Sequence, residues 1–237
     1  MNYVKMLGET RVNGIPANYQ ESAYVINASQ TNVATPVSFS VDDIEIELKV
    51  FYNSGSESFY MLQSRQTSSA NIYGITGSAS GGTIQGLVNG SGTTSSITRT
   101  AGHIYTINMK AKNGTVTLYV KDETANEEAT NTGTYTFKST TYALRLYGNS
   151  ASQYLGTGYK VYYVKIWRGG NLKVDWIPVK NANNVAQLYN RVNGAITSST
   201  ALSAGSNVYP TTDNPKDIYI NNGIVRTFGG NKFTRAG

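Results

Sequence analysis

VDDIEIELKV, residues 41–50, sets Asp43, Glu45 and Glu47 at every second position, with Ile44, Ile46 and Leu48 between them. Carboxyl groups in sets are the working groups of glycoside hydrolysis, and a retaining enzyme holds its pair about 5–5.5 Å apart. Residues four apart on a strand are about 13 Å apart at Cα, so Asp43 and Glu47 could meet only by leaning toward each other. The same pattern is what a half-buried strand requires when Ile44, Ile46, Leu48 and Val50 face a core and the polar residues face water. Lys49 continues the polar face and compensates part of its charge. The row is therefore expected to be a solvated face, with catalysis and a cation site as the alternatives.

Other candidates for chemistry are few. The single histidine, His103, sits where a strand should begin and is expected to be a strand-end residue rather than a base. One histidine and no cysteine leave little room for a histidine-based zinc or triad site, and none for a thiolate one. Glu127 and Glu128 fall in KDETANEEATNTG, a loop-like stretch, and are expected to be solvated. Trp167 and Trp176 could stack on sugar rings. Both lie in an apolar hairpin, so core packing is expected for at least one. No cofactor is implied.

Composition points to strands and tight turns. Charged residues make up 14% and apolar residues 39%, the 18 Tyr counted among the apolar; 24 Gly stand outside both classes. Tyr and Thr suit pleated surfaces, and Gly and Asn supply positive φ. The first residues, MNYVKMLGETRVNG, lack an apolar signal core and no run approaches 18 apolar residues, so cytoplasmic synthesis without a conventional export signal is expected, and no membrane span. The net charge of +6 is uneven: residues 1–159 hold 10 Lys/Arg and 11 Asp/Glu, and residues 160–237 hold 10 and 3. The basic residues of the last third are spaced singly and carry no nucleic-acid signature, so an acidic protein or a glycan is the expected partner.

Asn-Gly, the dipeptide best suited to a type I′ hairpin turn, occurs five times, at 13–14, 89–90, 113–114, 193–194 and 222–223. In HIYTINMKAKNGTVTLYVKD, apolar Tyr105, Ile107 and Met109 alternate before the turn and Val116, Leu118 and Val120 after it, which is a hairpin with one greasy face. Further strands are expected in SAYVIN, DIEIELKVFY, SFYMLQSR, ANIYGI, TYALRLYG, YKVYYVKIWRG and NLKVDWIPVK. Basic and aromatic residues interleave in YKVYYVKIWRG, and strand alternation explains this better than a nucleic-acid platform does. Residues 76–99, rich in Gly, Ser and Thr, are read as a loop-rich hairpin anchored by Ile84, Leu87 and Val88, the alternative being a boundary between two domains. NANNVAQLYNRV should form a turn at most, and no window has a capped 3.6-residue period. So many short strands predict an all-β, antiparallel two-sheet sandwich over residues 1–200. Residues 201–237 then form an arm or small hairpin around Asn222-Gly223.

YKVYYVKIWRGGNLKVDWIPVKNANNVAQLYNRVNGAI resembles the concanavalin A-like, laminin-G-type jelly-roll domains of phage virion and bacterial surface proteins. In that family a Leu-x-x-Asp-x-Ile-Pro stretch precedes a Leu-Tyr-Asp-x-Val-x-Gly stretch. Here the matching residues are Leu172, Asp175, Ile177 and Pro178, then Leu188, Tyr189, Val192 and Gly194, with Asn190 at the usual Asp. The acid row is also similar to the strand of laminarinase-type enzymes, but with Asp first and Glu in the middle. The resemblance implies a lectin-like sandwich of the concanavalin A-like jelly-roll type. The expectation that follows is a non-enzymatic bacteriophage structural protein, a head-fibre, capsid-decoration or tail-associated subunit located in the virion, which touches other virion proteins and host or mucosal glycans. Homo-oligomerisation is compatible with this. Tyr219, Ile220, Val225, Arg226 and Phe228 of the terminal segment are the expected docking residues. The alternative is a glycan hydrolase or depolymerase using Asp43, Glu45 and Glu47.

Overall fold

The computed structural model describes residues 11–12, 15–16, 18–29, 32–40, 43–53, 59–65, 72–77, 82–149, 155–197, 202–205, 218–221 and 224–227. Its strands in the first part of the chain are β1 (Arg11–Val12), β2 (Ile15–Pro16), β3 (Tyr19–Glu21), β4 (Val25–Asn27), β5 (Val33–Ser38), β6 (Ile44–Phe51), β7 (Phe59–Arg65), β8 (Ile72–Gly77), β9 (Thr83–Val88) and β10 (Ser91–Thr98). They continue with β11 (Ile104–Lys112), β12 (Thr115–Asp122), β13 (Glu127–Thr134), β14 (Ala143–Leu146), β15 (Lys160–Arg168), β16 (Asn171–Asn181), β17 (Ala186–Asn190), β18 (Leu202–Ala204), β19 (Ile218–Asn221) and β20 (Ile224–Thr227). No helix occurs among the described residues.

One sheet has six strands in the order β10-β9-β8-β7-β14-β5. The other has ten, along the path β13-β12-β11-β6-β15-β16-β17, with β4 and β18 joining beside β15 and β3 beside β16. The strand pairings are antiparallel, and the two sheets pack into the expected sandwich. Leu202–Ala204 pairs with β4, so the sandwich continues past residue 200. β19 and β20 pair with each other, Asn221 opposite Ile224, while Asn222-Gly223 lies outside the described residues.

β6 is the keystone of the larger sheet, bonded along its length to β11 on one side and β15 on the other. Its burial alternates strictly: Ile44, Ile46, Leu48 and Val50 are at most 1% exposed, while Glu45, Glu47 and Lys49 are half-buried on the opposite face. The buried row joins Ile107, Met109, Leu118, Val164 and Ile166 from its own sheet and Met61, Leu62, Ile75 and Ile84 from the other in one core. The sheets approach closely at Gly86, where an added Cβ would lie 3.1 Å from the Met109 side chain. A Cβ there would require the Met109 side chain to give by a few tenths of an ångström.

Several local expectations are revised. Residues 83–98 form the predicted hairpin, turning at Asn89-Gly90 with φ of 50° and 80°. The stretch around Glu127 and Glu128 is strand β13 rather than loop, because a tight turn at Glu123–Asn126 returns the chain along β12. Its two glutamates are exposed, as expected. NANNVAQLYNRV holds a turn and then strand β17, which pairs with β16 through Trp176 to Lys180. β16 departs from alternation, with Val174 to Val179 all buried. Its second face is covered by a small cluster of Ile15, Ile177, Val179 and Tyr189, packed by Tyr19 and Ile196.

Division of β6 into a dry and a wet face predicts unequal costs. Leu48→Ala should lower the unfolding free energy in urea by about 2–5 kcal/mol through lost burial and the cavity left behind. Glu45→Gln should change it by less than about 1 kcal/mol, the usual worth of a surface ion pair. Comparable losses from both variants would contradict the division.

Candidate functional site

The outer face of the ten-stranded sheet brings Asp43, Glu45 and Glu47 together with groups that one strand alone does not reveal. Strand register sets Lys110 opposite Glu45, Asn108 opposite Glu47 on β11, and Lys165 opposite Glu47 on β15. Lys112 Nζ lies 2.8 Å from Asp43, Lys110 Nζ 3.4 Å from Glu45, and Lys165 Nζ 3.5 Å from Glu47. The Asn108 amide also donates to Glu45 at 2.9 Å. The hydrogen bond and charge of Asp43 hold the Lys112 ammonium above its ordinary pKa. Lys49, at the end of the row, shares Glu123 with Lys121, at 3.8 and 3.3 Å.

The carboxylates therefore diverge. Asp43 and Glu45 are drawn toward β11, and Glu47 toward β15. The ammonium groups of Lys112, Lys110 and Lys165 lie beside Asp43, Glu45 and Glu47 in turn. Among the described residues no three His, Asp or Glu side chains gather in a metal-binding set.

Aromatic groups complete the face. Trp167 pairs with Glu45 across the strands and stays partly exposed, whereas Trp176 is in the core. Asp43, Ile44, Glu45, Lys110, Trp167 and Gly170 line a groove of about 240 Å³. The Gly169 N–H donates to the Asp43 carbonyl at 2.8 Å, which fixes the β15–β16 turn at the end of the groove. A register shift between Val161 and Tyr163 makes Tyr162 the extra residue of β15. The Tyr163 hydroxyl is pushed up to about 12, first by burial and then by the charge and hydrogen bond of Glu47. Lys165, Lys110, Asn108 and Tyr163 are members of the site that sequence reasoning missed. Alternation assigns each of them to a wet face, but only the register between strands puts them beside the acids.

His103 lies at the start of β11, as expected, and is held by a buried acid. Its Nδ1 is 2.7 Å from Asp122 Oδ2, and Asp122 also accepts from the Thr124 and Ala125 N–H groups, both at 2.9 Å. Burial alone would raise the Asp122 carboxyl, but hydrogen bonds from Ala125, His103, Tyr105 and Thr124 outweigh it and leave its pKa below the ordinary value. A larger cleft, about 670 Å³, opens between Ser96–Thr100 and Glu127–Ala129, where the Glu128 carboxylate accepts from the Tyr119 hydroxyl at 2.9 Å.

The block that carries the family resemblance is a structural knot. Arg191 grips Asp175 with two bonds, of 2.9 and 3.0 Å. The buried Asn190 accepts from the Asp175 and Val192 N–H groups and donates to the Lys173 carbonyl. An amide can do both, whereas the aspartate usual at this position could only accept. The expected docking residues Tyr219 and Ile220 lie on β19, and Val225 and Arg226 on β20; Phe228 falls outside the described residues.

No protein-family model matches the chain, and no curated protein matches it in sequence. Among solved structures it is similar to the enzymatically active domain of tailspike protein 2 of bacteriophage CBA120, with 17% identity, 71% of this chain and 30% of that one covered, and a TM-score of 0.46. Domains LG4-5 of the mouse laminin α1 chain match at 13% identity over 83% of this chain and 51% of theirs, with a TM-score of 0.49. The LG1-3 region of the laminin α2 chain matches at 10% identity over 79% and 34%, with a TM-score of 0.48. The chain thus spans about half or less of the structures it matches, and the description of the sandwich rests on its own strand pairing.

Acid should weaken the fold through Asp122. Its folded pKa is below the unfolded one, so its contribution is complete above the ordinary carboxylate range and is lost as pH falls through the folded value. Asp122→Asn should cost about 1–3 kcal/mol at neutral pH, the penalty for disrupting a buried hydrogen-bonded acid. It should also flatten the acid limb of a stability profile followed by circular dichroism. An unchanged acid limb in the variant would show that Asp122 is not the group responsible.

Proposed function

We propose that this chain is a non-enzymatic binding sandwich that holds a glycan on the outer face of its ten-stranded sheet. The observation that carries the reading is the Trp167 groove. A partly exposed aromatic ring offers an apolar platform for a sugar ring face, and Asp43, Glu45 and Lys110 supply acceptors and donors for its hydroxyls. The pairing of each acid with a lysine favours holding a sugar over cleaving it. The sequence resemblance over residues 159–194 favours a part displayed on a phage particle, such as a head fibre, a decoration subunit or a tail-associated subunit. In this reading the basic terminal segment, with Tyr219, Ile220, Val225, Arg226 and Phe228, docks on other virion proteins.

A glycan array followed by titration of the best ligand tests the site. Trp167→Ala should weaken binding by roughly tenfold or more, about 1.4 kcal/mol, with the thermal midpoint nearly unchanged. Full affinity in the variant would remove the groove from consideration. Incubating wild type and Glu47→Gln with the same glycan addresses catalysis: release of oligosaccharide by the wild type that disappears in the variant would establish a hydrolase instead. For the terminal segment, a chain ending at Gly205 should keep the far-UV spectrum of a sandwich yet fail to enter particles. Normal incorporation of the shortened chain would refute docking through this segment.

A further inference from the structure

We propose that β13 is a self-association edge, through which two copies of the chain join their ten-stranded sheets in antiparallel register. The outward groups of β13 follow from the turn before it. Asn113-Gly114 joins β11 and β12 by two residues, which makes Lys112 and Thr115 a hydrogen-bonded pair. Alternation then directs the main chain of Thr115, Thr117, Tyr119 and Lys121 to β11, and that of Val116, Leu118, Val120 and Asp122 to β13. Their β13 partners are Gly133, Asn131, Ala129 and Glu127, and the Tyr135 N–H continues the series with a 2.7 Å bond to Gly114. The N–H and C=O groups of Glu128, Thr130, Thr132 and Thr134 therefore point away from the sheet. Among the described residues, none of these groups has a hydrogen-bond partner on that side.

An open row of this kind is a template for another strand, and folded proteins usually block it. Among the described residues, the other edges of the two large sheets are interrupted, capped or short. β5 contains Pro36, which has no N–H, and the Val37 N–H is bonded to the Thr35 hydroxyl at 3.2 Å. β10 is interrupted by a register shift between Thr94 and Thr98, and the Ile97 N–H is bonded to the Ser95 hydroxyl. Along β17 the returning chain takes the free side: Leu188 N–H bonds to the Thr197 hydroxyl at 3.0 Å and Asn190 N–H to the Ala195 carbonyl at 2.8 Å. β3 and β18 are three residues each. β13, by contrast, is eight residues long, without proline or bulge, in unbroken register with β12.

Its composition selects a second copy as the occupant. With a twofold axis at Asn131, Thr130 faces Thr132 of the other copy, Ala129 faces Gly133, and Glu128 faces Thr134. Threonine pairs are favourable across antiparallel strands, and the carboxylates fall at opposite ends of the interface instead of facing each other. The contact is isologous, so it closes at two chains.

Sedimentation equilibrium of the full chain over a concentration series tests this. The wild type should reach twice the chain mass. Thr132→Pro, which removes an outward N–H and none of the β12 ladder, should stay at one chain mass with an unchanged far-UV spectrum. A wild type that stays monomeric, one that assembles as trimers, or a folded Thr132→Pro variant that still dimerises would each overturn the proposal. Should that variant fail to fold, amide exchange in the wild type decides the matter. The Glu128, Thr130, Thr132 and Thr134 amides should exchange more slowly as concentration rises; rates independent of concentration would overturn it.

Discussion

Strand β6 can present only every second side chain to the core, and both of its edges are already taken by β11 and β15. That constraint fixes the rest of the site. With Ile44, Ile46, Leu48 and Val50 committed to the space between the sheets, Asp43, Glu45, Glu47 and Lys49 are forced into one row on the opposite face. Three like charges at a spacing of about 7 Å repel one another. The neighbouring strands answer with lysines at positions of the same parity, so the face is a lattice of alternating charge. Such a lattice suits a ligand rich in hydroxyl groups, which can accept from ammonium groups and donate to carboxylates at once.

The opposite end of the same face uses cations differently. The Lys160 ammonium lies 4.6 Å from the centres of both the Tyr24 and Phe51 rings, and Tyr162 packs edge-on against Tyr24 at 5.8 Å. Here ring faces stand in for carboxylates as the partners of a lysine. The wet face thus grades from an aromatic end near β4 to the charged groove at Trp167, with the Tyr163–Glu47 bond between them. The groove end combines a partly exposed ring with two acids and a lysine that line the same space.

Much of this fold is legible in the sequence because it depends on parity and on turn chemistry, and both are local. The alternation in HIYTINMKAKNGTVTLYVKD and its Asn-Gly turn specify a hairpin before any partner is known, and the two strands pair residue for residue as that pattern requires. β13 was not legible. EEATNTGT has neither an apolar face nor β-branched bulk on its inner side, and it is a strand because β12 offers it a ladder rather than because of its own residues. β17 escaped for a related reason, since Ala186, Leu188 and Asn190 acquire their burial from β16. The site was half legible: the acids announce themselves along one strand, but the lysines that neutralise them come from β11 and β15, far along the chain. That information lies in the register of the pairing, and composition does not carry it.

The open edge and the groove are linked by geometry. A twofold axis perpendicular to the sheet at β13 leaves the outer face of each copy on the same side of the joined sheet, so both Trp167 grooves look in one direction. In the proposed reading, a shallow groove with one ring and a few polar groups would hold a sugar weakly. Two grooves facing the same polysaccharide bind with an effective concentration set by their separation, and the second contact then forms without the full cost of a new encounter. The proposed pairing through β13 would add no group to either groove, yet it would change what a weak site can hold. Among the described residues β13 lacks the proline, register shift or hydroxyl cap found at β5, β10 and β17, as the proposed contact requires.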